Sequence, residues 1–156
     1  MLRQRQETGP FMLAPAPSSH SQSHMPTIHR PIELSDTSLS AEWERCGEYI
    51  DDALEYAQHS HTLEDVMRVV LAGDAQFWPE SNAALVTEII DYPQRRTLRF
   101  WLAGGDLETL RDLEVAAIEW SKTWGCTSSE IVGRRGWVRA LQGYEEAATV
   151  GVKYYG

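Results

Sequence analysis

The stretch from Arg96 to Tyr144 constrains the fold more than any other part of the chain. It opens on an apolar run, Thr97-Leu98-Arg99-Phe100-Trp101-Leu102, and breaks at Ala103-Gly104-Gly105-Asp106. β-Branched and aromatic residues followed by glycines and a capping aspartate predict a strand, a tight turn and a helix start. The helix reads from Leu107 to Trp124, with Leu110, Leu113, Ala117, Trp120 and Trp124 along one face at three-and-four spacing. Gly125 stands just past its end, where a left-handed residue commonly closes a helix. After Cys126 a short strand is expected at Ile131-Val132. Gly133-Arg134-Arg135-Gly136-Trp137 then opens a second helix that ends at Gly143-Tyr144. A strand, a helix and a second strand in this order form a crossover unit with a parallel pair. The glycine turn at the helix start is a candidate anion cradle.

Upstream, Thr27-Ile28-His29-Arg30-Pro31-Ile32 predicts a short first strand, which Pro31 confines to an edge or a strand end. Asp36, Ser38 and Ser40 are candidate caps for a helix from Ala41 to Gln58. Its apolar stripe is Trp43, Cys46, Ile50, Leu54 and Ala57. Its other face, with Glu42, Glu44, Glu48, Asp51, Asp52 and Glu55, reads as a solvated acidic surface. Thr62-Leu63-Glu64-Asp65 resembles a capping box with aspartate in place of glutamate. It opens a helix carrying Val66, Met67, Val70 and Leu71, closed by Gly73. The period then changes. Ala75 to Pro79, Ala84 to Asp91 and Arg96 to Leu102 read as three strands, the last two joined by a turn at Tyr92-Pro93-Gln94-Arg95. Thr149 to Tyr154 reads as a last strand. The expected order is β-α-α-β-β-β-α-β-α-β, an α/β fold with a mixed sheet of about six strands flanked by helices.

At 156 residues the chain holds one modest core, expected over residues 25–156. Residues 1–24 are rich in proline, serine and histidine and show no apolar period, so they read as a flexible arm. One reading has this arm order against a partner through Phe11, Met12 and Leu13. Another makes it a tail, or sequence ahead of a true start at Met25. Net charge is −9, from 23 acidic and 14 basic residues, which argues against broad binding of nucleic-acid backbones. No apolar run approaches the roughly 20 residues of a membrane span, so none is expected. No apolar signal core follows Arg3 and Arg5. Cys46 and Cys126 fit no metal spacing, so no metal site is expected and both read as buried thiols.

The order of elements resembles the GNAT acyltransferase family over about Met25 to Tyr155. Thr27-Ile28-His29-Arg30-Pro31 looks like the family's opening strand. Trp124-Gly125-Cys126 looks like the end of its long helix, and Gly143-Tyr144 stands where the family commonly has glycine-phenylalanine. The resemblance implies a loop before the long helix that holds the diphosphate of acetyl-CoA on backbone amides. Here that loop is Ala103, Gly104, Gly105 and Asp106, shorter than the family's motif, and Asp106 puts a carboxylate where the diphosphate would sit. The family's tyrosine general acid, counted back from Gly143-Tyr144, falls on Val138 and Arg139. Tyr144 is the nearest hydroxyl, and Glu88 on the middle strand is a candidate general base. Arg134 and Arg135 form a candidate grip for an anion or a partner, or pair with acidic surface.

Ala75-Gln76-Phe77-Trp78-Pro79, Tyr92-Pro93 and Gly133-Arg134-Arg135-Gly136-Trp137 further resemble small GNAT-like proteins of tailed bacteriophages, of the internal virion protein A type. That resemblance implies a virion or morphogenesis protein on a catalytically degenerate scaffold. It would need no cofactor, would bind other virion or assembly proteins, and would act in the host cytoplasm during assembly or in the virion. Near-complete coverage of the fold implies the alternative, an acetyl-CoA-dependent N-acyltransferase. The acidic surface suggests a third reading, a phage effector that binds a host protein.

Overall fold

The computed structural model describes residues 29–57, 59–133 and 135–156. The expected arm over residues 1–24, its Phe11-Met12-Leu13 anchor, the start at Met25 and Arg134 lie outside them, as does the side chain of Arg135. The elements are α1 (Leu39–Tyr56), α2 (Leu63–Leu71), β1 (Gln76–Pro79), β2 (Ala83–Tyr92), β3 (Arg95–Gly105), α3 (Leu107–Lys122), β4 (Ser128–Ile131) and α4 (Arg135–Ala140).

The sheet has four strands in the order β1-β2-β3-β4, not about six. β1, β2 and β3 form the expected antiparallel meander, and β4 lies parallel to β3. The predicted first strand is not one over its described residues. Ile32 gives one backbone N–H to the Phe77 carbonyl at 2.8 Å. Both facing segments carry a proline, Pro31 and Pro79, with no N–H to give, and one bond makes no ladder. The predicted last strand is also absent. Val150, Val152 and Tyr154 are 36%, 47% and 72% exposed, because an alternating pattern forms a strand only where it finds a partner.

Local chemistry sets the helix starts. The Asp36 carboxylate accepts from both the N–H and the hydroxyl of Ser38, which leaves Ser38 as the N-cap and starts α1 at Leu39 rather than Ala41. At α2 the capping box is complete: Thr62 Oγ1 accepts from Asp65 N–H, and Asp65 accepts from Thr62 N–H. β4 lies at Ser128–Ile131, ahead of the expected Ile131-Val132. Its polar side chains all find partners: Ser128 meets Thr97, Ser129 meets Tyr144 and Glu130 meets Arg99.

Neighbouring strand residues point to opposite faces, so the sheet separates two apolar clusters. Phe77, Val86 and Trp101 pack with Cys46, Ile50 and Ala53 of α1 and Val66 and Val70 of α2. Trp78, Leu85, Leu98 and Phe100 pack with Leu110, Leu113 and Ala117 of α3 and Trp137 of α4. Each fully buried leucine or phenylalanine contributes about 1.5–3 kcal/mol of transfer free energy.

Candidate functional site

β3 outlasts its pairing with β4. The last parallel pair is Phe100 with Ile131. The next residue, Trp101, is an extra residue on the β2 side, because Val86 faces Leu102 while Thr87 faces Phe100. A bulge of this kind bends its strand and re-aims side chains. Here Trp101 and Leu102 both join the α1–α2 cluster, while Phe100 and Ala103 face α3. Beyond the bulge β3 continues to Gly105 with no β4 beside it.

The opening where the strands part is covered by Leu110 and Glu114 of α3 and by Trp137 and Leu141 at α4. It encloses a cavity of about 20 Å³, room for one water. Glu114 brings a carboxyl to this lining; every other side chain there is hydrocarbon or indole. Burial pushes its pKa above the ordinary glutamate value, and a hydrogen bond with Tyr144 partly offsets that. The Tyr144 hydroxyl lies 2.8 Å from Ser129 Oγ. Burial pushes its phenol well up, and the Glu114 carboxyl adds to that. Glu114 and Tyr144 therefore form a linked pair, and burial makes each harder to ionise.

Sequence reasoning brought out Tyr144 and missed Glu114. A signal existed. Glu114 falls four residues after Leu110 and three before Ala117, within the buried stripe of α3.

The predicted cradle is a closed turn. Asp106 is the N-cap of α3, and its Oδ2 accepts from both the N–H and the hydroxyl of Thr109, each at 3.0 Å. The Asp106 N–H donates to the Asn82 carbonyl at 3.0 Å, and the Thr109 hydroxyl donates to Asn82 Oδ1 at 2.8 Å. Gly105 has φ 105°, and a Cβ on it would lie 2.3 Å from the Asn82 carbonyl oxygen. Ala103 lines the cleft, while Gly104 pairs with Ala84 in the sheet. The turn thus offers a carboxylate and tight packing where a diphosphate would need free amides and space, so it does not fit the nucleotide end of acetyl-CoA.

Glu88 stands elsewhere. It is 5% exposed in β2, directly opposite Arg99, which is 2% exposed in β3. Arg99 forms an ion pair with Glu130 of β4, and its Nη2 donates to the Tyr92 hydroxyl at 3.2 Å. The Tyr92 hydroxyl in turn donates to Glu130 at 3.1 Å. Thr87 and Ile89 turn toward the α3 cluster, so Glu88 turns toward α1 and α2. The structure does not bring Glu88 and Tyr144 together. Gly133 is exposed ahead of α4, and the grip proposed for Arg134 and Arg135 lies outside the described side chains. Among the described residues no cluster of three metal-ligating side chains occurs, and no helix is long and apolar enough to cross a membrane.

No protein-family model matches the sequence, and no curated protein matches it. Solved structures do match its shape, and they define the class: a GNAT-like α/β fold. TTHA1254 from Thermus thermophilus superposes with TM-score 0.54 at 13% identity, over 82% of this chain and 97% of that one. Glucosamine-6-phosphate N-acetyltransferase from Arabidopsis thaliana gives 0.50 at 14%, over 82% and 97%. An aminoglycoside acetyltransferase from an uncultured soil metagenomic sample gives 0.51 at 14%, over 81% and 97%. The resemblance to bacteriophage virion proteins finds no support among these structures.

Proposed function

We propose that the chain is an acyltransferase that moves an acyl group from a thioester to an amine in the cleft between β3 and β4. The observation that carries this reading is the parting of the two strands at the Trp101 bulge, beside the hydrogen-bonded Glu114–Tyr144 pair. The acetyltransferases among the structural neighbours support it. The apolar lining excludes water, which limits hydrolysis of an acyl group held there. In this reading the Tyr144 hydroxyl, held beside Glu114, gives its proton to the leaving sulfur and regains one from the acylated amine. A donor larger than one water enters as Trp137 and Leu141 move aside.

Thiol release tests this reading. The full chain is incubated with acetyl-pantetheine and a set of small primary amines. Release above the uncatalysed rate is expected, and Tyr144→Phe lowers kcat about 100-fold. No release with any amine, or release that Tyr144→Phe leaves unchanged, overturns it.

One observation favours a second reading, a scaffold without catalysis that serves in virion assembly: Asp106 closes the helix start the family would use. Failure to bind any thioester donor, together with recovery of the chain from purified virions, supports that reading instead.

A further inference from the structure

We infer that the donor this site takes is a small acyl thioester with no nucleotide diphosphate. The inference rests on the acyltransferase reading and narrows its substrate class. Three observations lead to it. First, one first-turn amide of α3 is taken by a fixed carboxylate: Thr109 N–H donates to Asp106 Oδ2. The same oxygen binds the Thr109 hydroxyl, so this carboxylate is fixed from two sides and stays at the helix start. Its charge is satisfied by the helix end and opposes a second anion there.

Second, the turn leaves no space. Asn82 holds the Asp106 N–H with its carbonyl and the Thr109 hydroxyl with its side chain. Gly105 packs against Asn82 and Ala83 so closely that even a methyl group would overlap them, at 2.3 Å and 2.5 Å. The turn is therefore fixed against the start of β2 and has no freedom to rearrange around a ligand on that side. Nor do nearby described side chains offer a cation in exchange. Glu108 adds a second carboxylate to the first turn, and Arg111 donates to the Ala140 carbonyl.

Third, the lining of the cleft is apolar apart from the Glu114 carboxyl, whose ionisation burial disfavours. That lining fits an acyl chain and a thioester, whose groups carry no charge. Nothing in it matches a ribose phosphate. The nucleotide half of acetyl-CoA, if present, would lie outside the turn and gain nothing from it.

Two probes separate the possibilities, acetyl-pantetheine and acetyl-CoA, titrated into the ¹⁵N-labelled full chain. Acetyl-pantetheine is expected to shift the Trp137 indole and Leu141 signals while Leu107, Glu108 and Thr109 amides stay in place. Acetyl-CoA is expected to bind within about threefold of acetyl-pantetheine. Acetyl-CoA binding more than about tenfold tighter, with shifts at Leu107 to Thr109, overturns the inference and leaves the acyltransferase reading standing. Absence of shifts with both probes overturns the acyltransferase reading itself, and the inference with it.

Discussion

Two residues show how differently a sequence reveals its site. Gly105 and Asp106 can be read directly, because a left-handed turn asks for glycine and a helix start asks for a short polar acceptor. Gly105 has φ 105° and no room for a Cβ, so Gly105→Ala forces either the Asn82 loop or the strand end to move. A loss of about 2 kcal/mol is expected in urea unfolding. A change below about 0.5 kcal/mol would show that the turn relaxes freely. Glu114 is not readable in this way. Spacing places it within the stripe of α3, but only the packing of Trp137 and Leu141 over it makes the carboxyl a buried group. Its pKa is raised on folding, so the native state binds its proton more tightly than the unfolded chain does. Its contribution is therefore fully present below the ordinary glutamate range and is lost as pH rises through the folded value. Glu114→Gln removes that dependence. Unfolding curves taken from pH 4 to pH 8 should show the parent losing stability relative to the variant as pH rises. Parallel pH profiles for the two proteins would mean that Glu114 is no more buried than a surface carboxylate.

At the scale of elements, the helices and the meander follow from periodicity and caps, while the outer strands do not. The capping box of α2 is a short-range signal, complete within Thr62 to Asp65, and the structure contains both of its bonds. Thr62→Ala is expected to cost about 1 kcal/mol, measured as a shift in the urea midpoint at constant slope. The strand errors have a common cause. Thr27–Ile32 and Thr149–Tyr154 carry the right residue types, but a strand is a pairing, and neither segment finds more than one backbone bond to the sheet over its described residues. β4 errs in the other direction. Ser128, Ser129 and Glu130 have little strand character, yet each has a partner waiting on β3 or Tyr144. Arg99 is the centre of that arrangement, between Glu88 on β2 and Glu130 on β4. Arg99→Met keeps most of the volume and removes the ion pair of Glu130, leaving it the Tyr92 hydroxyl. About 3 kcal/mol of destabilisation is expected, and adding Glu130→Gln should recover part of it. Full additivity of the two changes would mean that the pair is not coupled.

At the scale of the whole molecule, a four-stranded sheet stands between two apolar clusters, and the two halves of the chain meet through β2 and β3. The order of elements carried this architecture in the sequence, since a meander followed by a strand-helix-strand unit leaves few ways to cover both faces. The functional cleft was hidden for a physical reason. It arises from one residue in excess, Trp101, at the point where β4 ends, and a bulge depends on the register of two strands rather than on either alone. The same geometry sets the order in which the molecule opens. β2 and β3 share the longest pairing and are covered on both faces, so their central amides, Val86 to Ile89 and Leu98 to Phe100, need global unfolding to exchange. α4 has six residues, and the segment after it makes no strand, so both open locally. Hydrogen exchange on the full chain should therefore show two classes: central β2–β3 amides exchanging at the global unfolding free energy, and amides of residues 136–156 exchanging several kcal/mol below it. This ordering matters for the proposed chemistry, because Trp137 and Leu141 form the cover of the cleft and must open without unfolding α3 and β4, which carry Glu114 and the Ser129 partner of Tyr144. Equal protection of α4 and β3 would mean that the cleft opens only when the molecule unfolds, and a donor could not enter it in the native state.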